Sequence, residues 1–166
     1  ARTEAWLDGL AGNGGGDTAA AATLQALLPL ARIARLRQAQ AWNVESLARW
    51  RHAEQGRTAS RLREERALAM LQATGEAIPD PLWRSLLQNS AQVPGIELDA
   101  AFRAQLTRAG GARRVGETAL LALVGLGREG PQILGTSSLE LVVSSLRAAG
   151  LEADARALAV EAVSAR

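Results

Sequence analysis

The sequence contains no cysteine, lysine or tyrosine and has one histidine, His52. Without cysteine, the chain cannot form disulfides, thiolate nucleophiles or cysteine-ligated zinc sites. With one histidine and no cysteine, lysine or tyrosine, the familiar nucleophile, Schiff-base and triad designs lose most of their parts. No apolar run approaches the roughly 18 residues that a membrane span requires. We therefore expect a protein that is not an enzyme, binds no metal or organic cofactor, and has no membrane span.

The residues that are abundant are those that favour helices. Hydrophobic residues make up 48% of the 166 positions but aromatics only 3%, so leucine, alanine and valine must form most of the core. This length fits one domain. The sequence predicts an all-α fold of about eight short helices packed as antiparallel hairpins, either an irregular bundle or a short α-solenoid. We divide it into a short N-terminal segment with a glycine-rich joint, 1–16, and a single helical domain, 17–166.

The C-terminal third carries the clearest helix signals. Ser137 and Glu140 have the spacing of a capping box, which predicts that a helix begins there. Gly150 supplies a left-handed stop, with the next residue covering the end of the helix. A second helix should follow from about 152 to 164, where Glu152 can pair with Arg156 one turn later. The first helix has apolar residues at helical spacing: Leu139, Val142, Val143 and Leu146.

Three further helices are predicted upstream. The segment 115–126 (VGETALLALVGL) has only two polar residues, so we expect it to be the most buried helix of the domain. A helix carrying Phe102 and Leu106 should end at Gly110 and Gly111, with Asp99 placed to pair with Arg103. Asp80 followed by proline predicts a third helix start.

Two resemblances accompany these patterns. Residues 146–161 (LRAAGLEADARALAVE) resemble one tetratricopeptide-type helical hairpin. Residues 116–163 resemble alanine- and leucine-rich C-terminal regions of uncharacterised proteins from high-GC bacteria. The resemblances imply a recurrent helical domain and no known chemistry, so no functional residue is carried over from them.

His52 is the only candidate for acid–base chemistry. Glu45, Arg49 and His52 are spaced to share one helix face. A general base also needs a pocket and a bound substrate, and this spacing arises often by chance. We therefore favour a surface or capping role for His52 over catalysis.

An arginine-rich region offers an alternative function. Residues 32–66 contain nine arginines against four glutamates, with Trp42 and Trp50 among them. Arginine beside exposed aromatics is typical of nucleic-acid surfaces. The alternative hypothesis is thus binding of nucleic acid or another anionic partner through this region. The favoured interpretation of the charges is a solvated face with Trp50 in the core. The candidate contact residues are Arg49, Arg57, Arg61 and Arg63.

The main functional hypothesis is a protein–protein interaction or scaffold module of the helical-hairpin type. Its partner would be another protein or a neighbouring copy of this chain. The N-terminal segment carries an apolar cluster of Trp6, Leu7 and Leu10 that something must cover, in cis or in a partner's groove. Since the sequence does not begin with methionine, we expect part of a longer, soluble protein. The cytoplasm is the favoured compartment and the periplasm the alternative.

Overall fold

The computed structural model describes residues 27–34, 44–54, 60–87 and 95–164. These residues are helical apart from turns and one isolated β-bridge, which confirms the all-α class. Residues 27–33 are helical. The helices after them are α1 (Val44–Glu54), α2 (Ser60–Ala73), α3 (Asp80–Leu87), α4 (Ala100–Gly111), α5 (Val115–Leu126), α6 (Thr136–Ala148) and α7 (Glu152–Ser164).

Helix α6 is the centre of the described fold. It packs against α2, α4, α5 and α7, and its predicted stripe is buried, with Leu139, Val142 and Val143 at 0% exposure. Helix α2 also contacts α7, far from it in sequence. In a solenoid each repeat touches only its neighbours. The described residues therefore form an irregular bundle rather than a short solenoid.

The end of α6 confirms the predicted stop at Gly150. Its φ is +93°, and the Leu151 amide donates to the Leu146 carbonyl at 2.9 Å. That bond defines a Schellman end and sends the chain directly into α7, where Arg156 and Glu152 pair at 2.7 Å as predicted. Helix α2 ends in the same way at Gly75, with φ +99°. These tight turns make successive helices pack against each other.

The prediction of a capping box at the start of α6 is wrong. The N-cap is Gly135, with no side-chain cap bond, and the Ser137 and Ser138 hydroxyls donate to the Glu97 carboxylate at 2.7 and 2.6 Å. Glu140 accepts from Gln72 instead of reaching back to the cap. The reason is the backbone bridge between Ile96 and Leu134, which brings the acidic side chain of Glu97 to the helix N-terminus, where negative charge is stabilised.

The end of α4 differs in detail from the prediction. The helix ends at Gly111, but the left-handed residue that reverses the chain is Arg113, with φ +54°. Gly110 has another role: a Cβ added there would lie 2.7 Å from the Ser145 carbonyl oxygen of α6, so glycine permits close helix packing. Asp99 caps α4 by accepting from the Phe102 amide at 2.8 Å, a role that the predicted pairing with Arg103 had not anticipated.

The expectation that Val115–Leu126 is the most buried helix is also wrong. Its bounds match the prediction, yet only Thr118 and Ala122 of its residues are buried. The helix packs at the edge of the bundle, against α4 and α6. Its opposite side therefore faces solvent although it is apolar.

Candidate functional site

The feature that stands out on the described surface is the exposed side of α5. Leu120, Leu123 and Val124 are 66%, 65% and 69% exposed. With Gly116 before them and Gly127 after them, they recur at helical spacing and form one stripe along the helix. We call this set the α5 outer face (Gly116, Leu120, Leu123, Val124 and Gly127).

The other large exposed apolar side chains of the described residues lie away from this stripe. Val115, which is 47% exposed, is the first residue of α5. Leu27, Leu87 and Ile96 are 42%, 72% and 59% exposed, but each lies beside a stretch outside the described ranges. The α5 outer face lies within the continuous stretch 95–164. Its exposure therefore belongs to a fully described part of the fold.

The opposite side of α5 holds the helix in the bundle. Thr118 and Ala122 are 0% and 3% exposed, and a Cβ added to Gly125 would lie 3.0 Å from the Phe102 ring and 3.4 Å from Leu98. Gly125 thus lets α4 approach α5 closely. Because the inner side is packed, the outer side is presented on a fixed helix and need not be covered for the helix to form.

The two ends of α5 carry opposite charge. Near the N-terminal end lie three arginines, Arg108, Arg113 and Arg114, against one acid, Glu117, which pairs with Arg114 at 2.8 Å. Near the C-terminal end the acids Asp99, Glu129 and Glu161 outnumber two arginines, Arg103 and Arg128. Asp99 is placed there by the contact of Leu98 with Gly125, and Glu161 by its carboxylate lying beside Gly130.

Most of the described arginines in the arginine-rich region bond to other parts of the same chain. Arg51 pairs with the Glu64 carboxylate and donates to the Ser85 hydroxyl at 2.8 Å. Arg61 donates to the Leu86 carbonyl at 2.9 Å. These bonds join α1, α2 and α3, and burial raises the pKa of the Glu64 carboxyl although Arg51 and Arg61 oppose that rise.

The remaining described arginines of this region divide by exposure. Arg66 is buried and donates to the Leu134 carbonyl at 2.9 Å, and Arg32 pairs with Glu76 at 2.6 Å. Arg63 is half-buried, whereas Arg49 is exposed. Arg57 lies outside the described residues. Of the six arginines of this region that the structure describes, one, Arg49, is exposed, and binding of an anionic partner here stays a prediction.

Among the described residues the other sequence candidates show no convergent site. Glu45, Arg49 and His52 are all exposed on α1, so the residues that the structure describes enclose no pocket around the histidine. Trp50 is 2% exposed and belongs to the core, as favoured. Trp6, Leu7 and Leu10 lie outside the described residues. Across the described ranges, no group of three or more histidine or acidic side chains is placed to hold a metal ion.

No helix in the described part of the chain combines the length and apolar character needed to cross a bilayer. Comparison with known proteins adds nothing further: no family model, curated protein or solved structure matches this chain.

Proposed function

We propose that this chain is a protein-binding domain, a helical scaffold or interaction module that docks a partner on the α5 outer face. The observation that carries the proposal is the exposure of Leu120, Leu123 and Val124 on a helix whose other side is packed. Contiguous exposed apolar patches on folded proteins mark binding sites. Such a patch on a helix fits a partner helix or groove.

The chemistry of the face supports a protein partner over an anionic polymer. Between residues 115 and 126 the only acid is Glu117, and there is no arginine, so the face itself offers nothing to bind phosphate groups. Depletion of charge at the centre with charged residues at the rim is the anatomy of protein interfaces. Arg113 at one end and Glu129 at the other supply that rim.

A photoreactive side chain placed at position 123 of the intact protein, in its own cell, tests this proposal. Illumination should join the chain covalently to its partner, which mass spectrometry identifies. The matched control is position 157, since Ala157 is also exposed but lies on α7. An adduct at 123 and not at 157 is the expected result. No adduct at 123, or equal adducts at both positions, would contradict the proposal.

A further inference from the structure

We infer that the partner seated on the α5 outer face is a second copy of this chain, docked with the two α5 helices antiparallel. The inference rests on the proposed function, because it names the occupant of the same face. Two observations carry it: the stripe is nearly symmetric about its own centre, and the ends of the helix are oppositely charged.

The symmetry follows from residue order. Small residues, Gly116 and Gly127, terminate the stripe, and Leu120 and Val124 lie at equal distance on either side of position 122. In a two-fold pair each residue i that touches j is matched by j touching i. An antiparallel copy therefore places Leu120 against the partner's Val124, with the Leu123 side chains near the axis.

The glycines allow the backbones to approach at both ends of the pair. A Cβ added at Gly116 or at Gly127 would meet no other atom of the described residues within 4 Å, so packing within the described fold does not require glycine at either position. Gly127 also has φ +62°, which by itself favours glycine. Gly116 has no such backbone reason and is accounted for by the contact.

Charge selects the antiparallel arrangement. It brings the arginine-rich N-terminal end of one α5, with Arg113, against the acid-rich C-terminal end of the other, with Glu129. A parallel arrangement would place Arg113 against the partner's Arg113. The helix dipoles also favour antiparallel neighbours, since their positive ends lie beside negative ends. Charge complementarity of this kind fixes register and suppresses wrong pairings.

The size of the face limits the affinity. A helix of 12 residues is about 18 Å long, so the pair buries less than the roughly 800 Å² per partner of a standard interface. We therefore expect a dissociation constant weaker than about 1 µM. The dimer should be visible as a rise in mass with concentration.

Sedimentation equilibrium of the full chain over a concentration series tests the occupant. The wild type should pass from monomer to dimer, whereas Leu120→Ser combined with Leu123→Ser should remain a monomer at every concentration. Both leucines are largely exposed, so the double variant should keep its helical circular dichroism and show that the loss is not unfolding. A wild type that stays monomeric up to millimolar concentration overturns the inference.

A charge exchange tests the antiparallel arrangement. Arg113→Glu and Glu129→Arg should each weaken their own homodimer about tenfold, because like charges then face each other twice. Mixing the two variants should restore wild-type affinity, since both cross-pairs become complementary. Arg84→Glu on α3 and Asp154→Arg on α7, exposed residues of the same charges, are the matched controls and should leave the affinity unchanged. Failure of the mixture to recover affinity overturns the arrangement.

Three further outcomes separate this inference from the proposed function. If the wild type is monomeric and dimerises only when residues 1–16 are removed, the N-terminal segment covers the face and the inference is wrong. If the wild type is monomeric and crosslinking at position 123 traps a different protein, the inference is wrong but the proposed function stands. If position 123 traps nothing, the proposed function fails as well.

Discussion

Replacing Gly110 with alanine should destabilise the fold although alanine is the better helix former. Gly110 is buried in the last turn of α4. A Cβ added there would lie 2.7 Å from the Ser145 carbonyl oxygen and 3.0 Å from its Cα. Because these are backbone atoms of the central helix, relief requires the two helices to separate.

The magnitude follows from two opposing terms. Forcing an extra methyl group into a packed contact costs about 1–3 kcal/mol, whereas glycine to alanine within a helix contributes roughly 0.8–1 kcal/mol of stability. Gly110→Ala should therefore lower the free energy of unfolding by up to about 2 kcal/mol. For a chain of this size that corresponds to a Tm up to about 8 °C lower.

Gly111 is the matched control for this prediction. It is the next residue of the same helix, and a Cβ added there would meet nothing within 4 Å. Gly111→Ala should leave the free energy of unfolding unchanged or raise it by up to about 1 kcal/mol. Urea unfolding followed by far-UV circular dichroism measures both variants. A Gly110→Ala chain at least as stable as Gly111→Ala would refute the packing argument.

One backbone angle and two sets of side-chain contacts each support a further prediction. Arg113 has φ +54°, so Arg113→Gly should raise the free energy of unfolding by about 0.5–1 kcal/mol; a lower Tm would contradict this. Arg61→Gln removes the bond to the Leu86 carbonyl and should cost about 1 kcal/mol, whereas the exposed Arg49→Gln should stay within about 0.5 kcal/mol, and equal losses would count against it. Glu97→Gln and Glu140→Gln should show opposite pH trends in urea unfolding, because the pKa values of the two carboxyl groups are shifted in opposite directions.

The opposite trends come from opposite pKa shifts. Desolvation raises the pKa of the Glu97 carboxyl, but the Ser138 and Ser137 hydroxyls and Arg103 together bring it below its usual value. Its stabilising contribution is therefore present at neutral pH and is lost as the pH falls through the folded-state pKa. Burial raises the pKa of the Glu140 carboxyl despite the Gln72 bond, so the wild type loses stability relative to Glu140→Gln as the pH rises. Parallel trends would refute the assignment.

The sequence predicted helix bounds and helix stops well, because these features depend on residues that are close together in the chain. The bounds of α5 and α7 match the predicted ranges, and Gly150 ends α6 by the predicted bond. Caps that depend on distant residues were missed: Glu97 reaches the N-terminus of α6 only through the bridge between Ile96 and Leu134. No local pattern of Ser137 or Glu140 contains that information.

The residues of the candidate site form a helix that the sequence predicted, but the prediction placed that helix in the wrong environment. An apolar helix such as Val115–Leu126 was expected at the centre of the core, yet Leu139 and Val142 of α6 occupy that place. A helix that is apolar all round can accept apolar neighbours on every side. The described part of the chain supplies them on one side, in α4 and α6. The α5 outer face is the side of the helix that these neighbours do not cover. Only the packing of the helices shows which side that is.

The central claim is that the α5 outer face is open in the dilute chain and is covered on association. Because the chain has no cysteine, a single Leu123→Cys thiol reports it directly, with the buried Ala122→Cys as its neighbour control. We expect rapid thiol labelling at 123 in dilute chain and a rate that falls as unlabelled wild-type chain is added, while 122 reacts slowly throughout. A thiol at 123 that reacts as slowly as the one at 122 in dilute solution, or whose rate ignores added chain, would contradict the account.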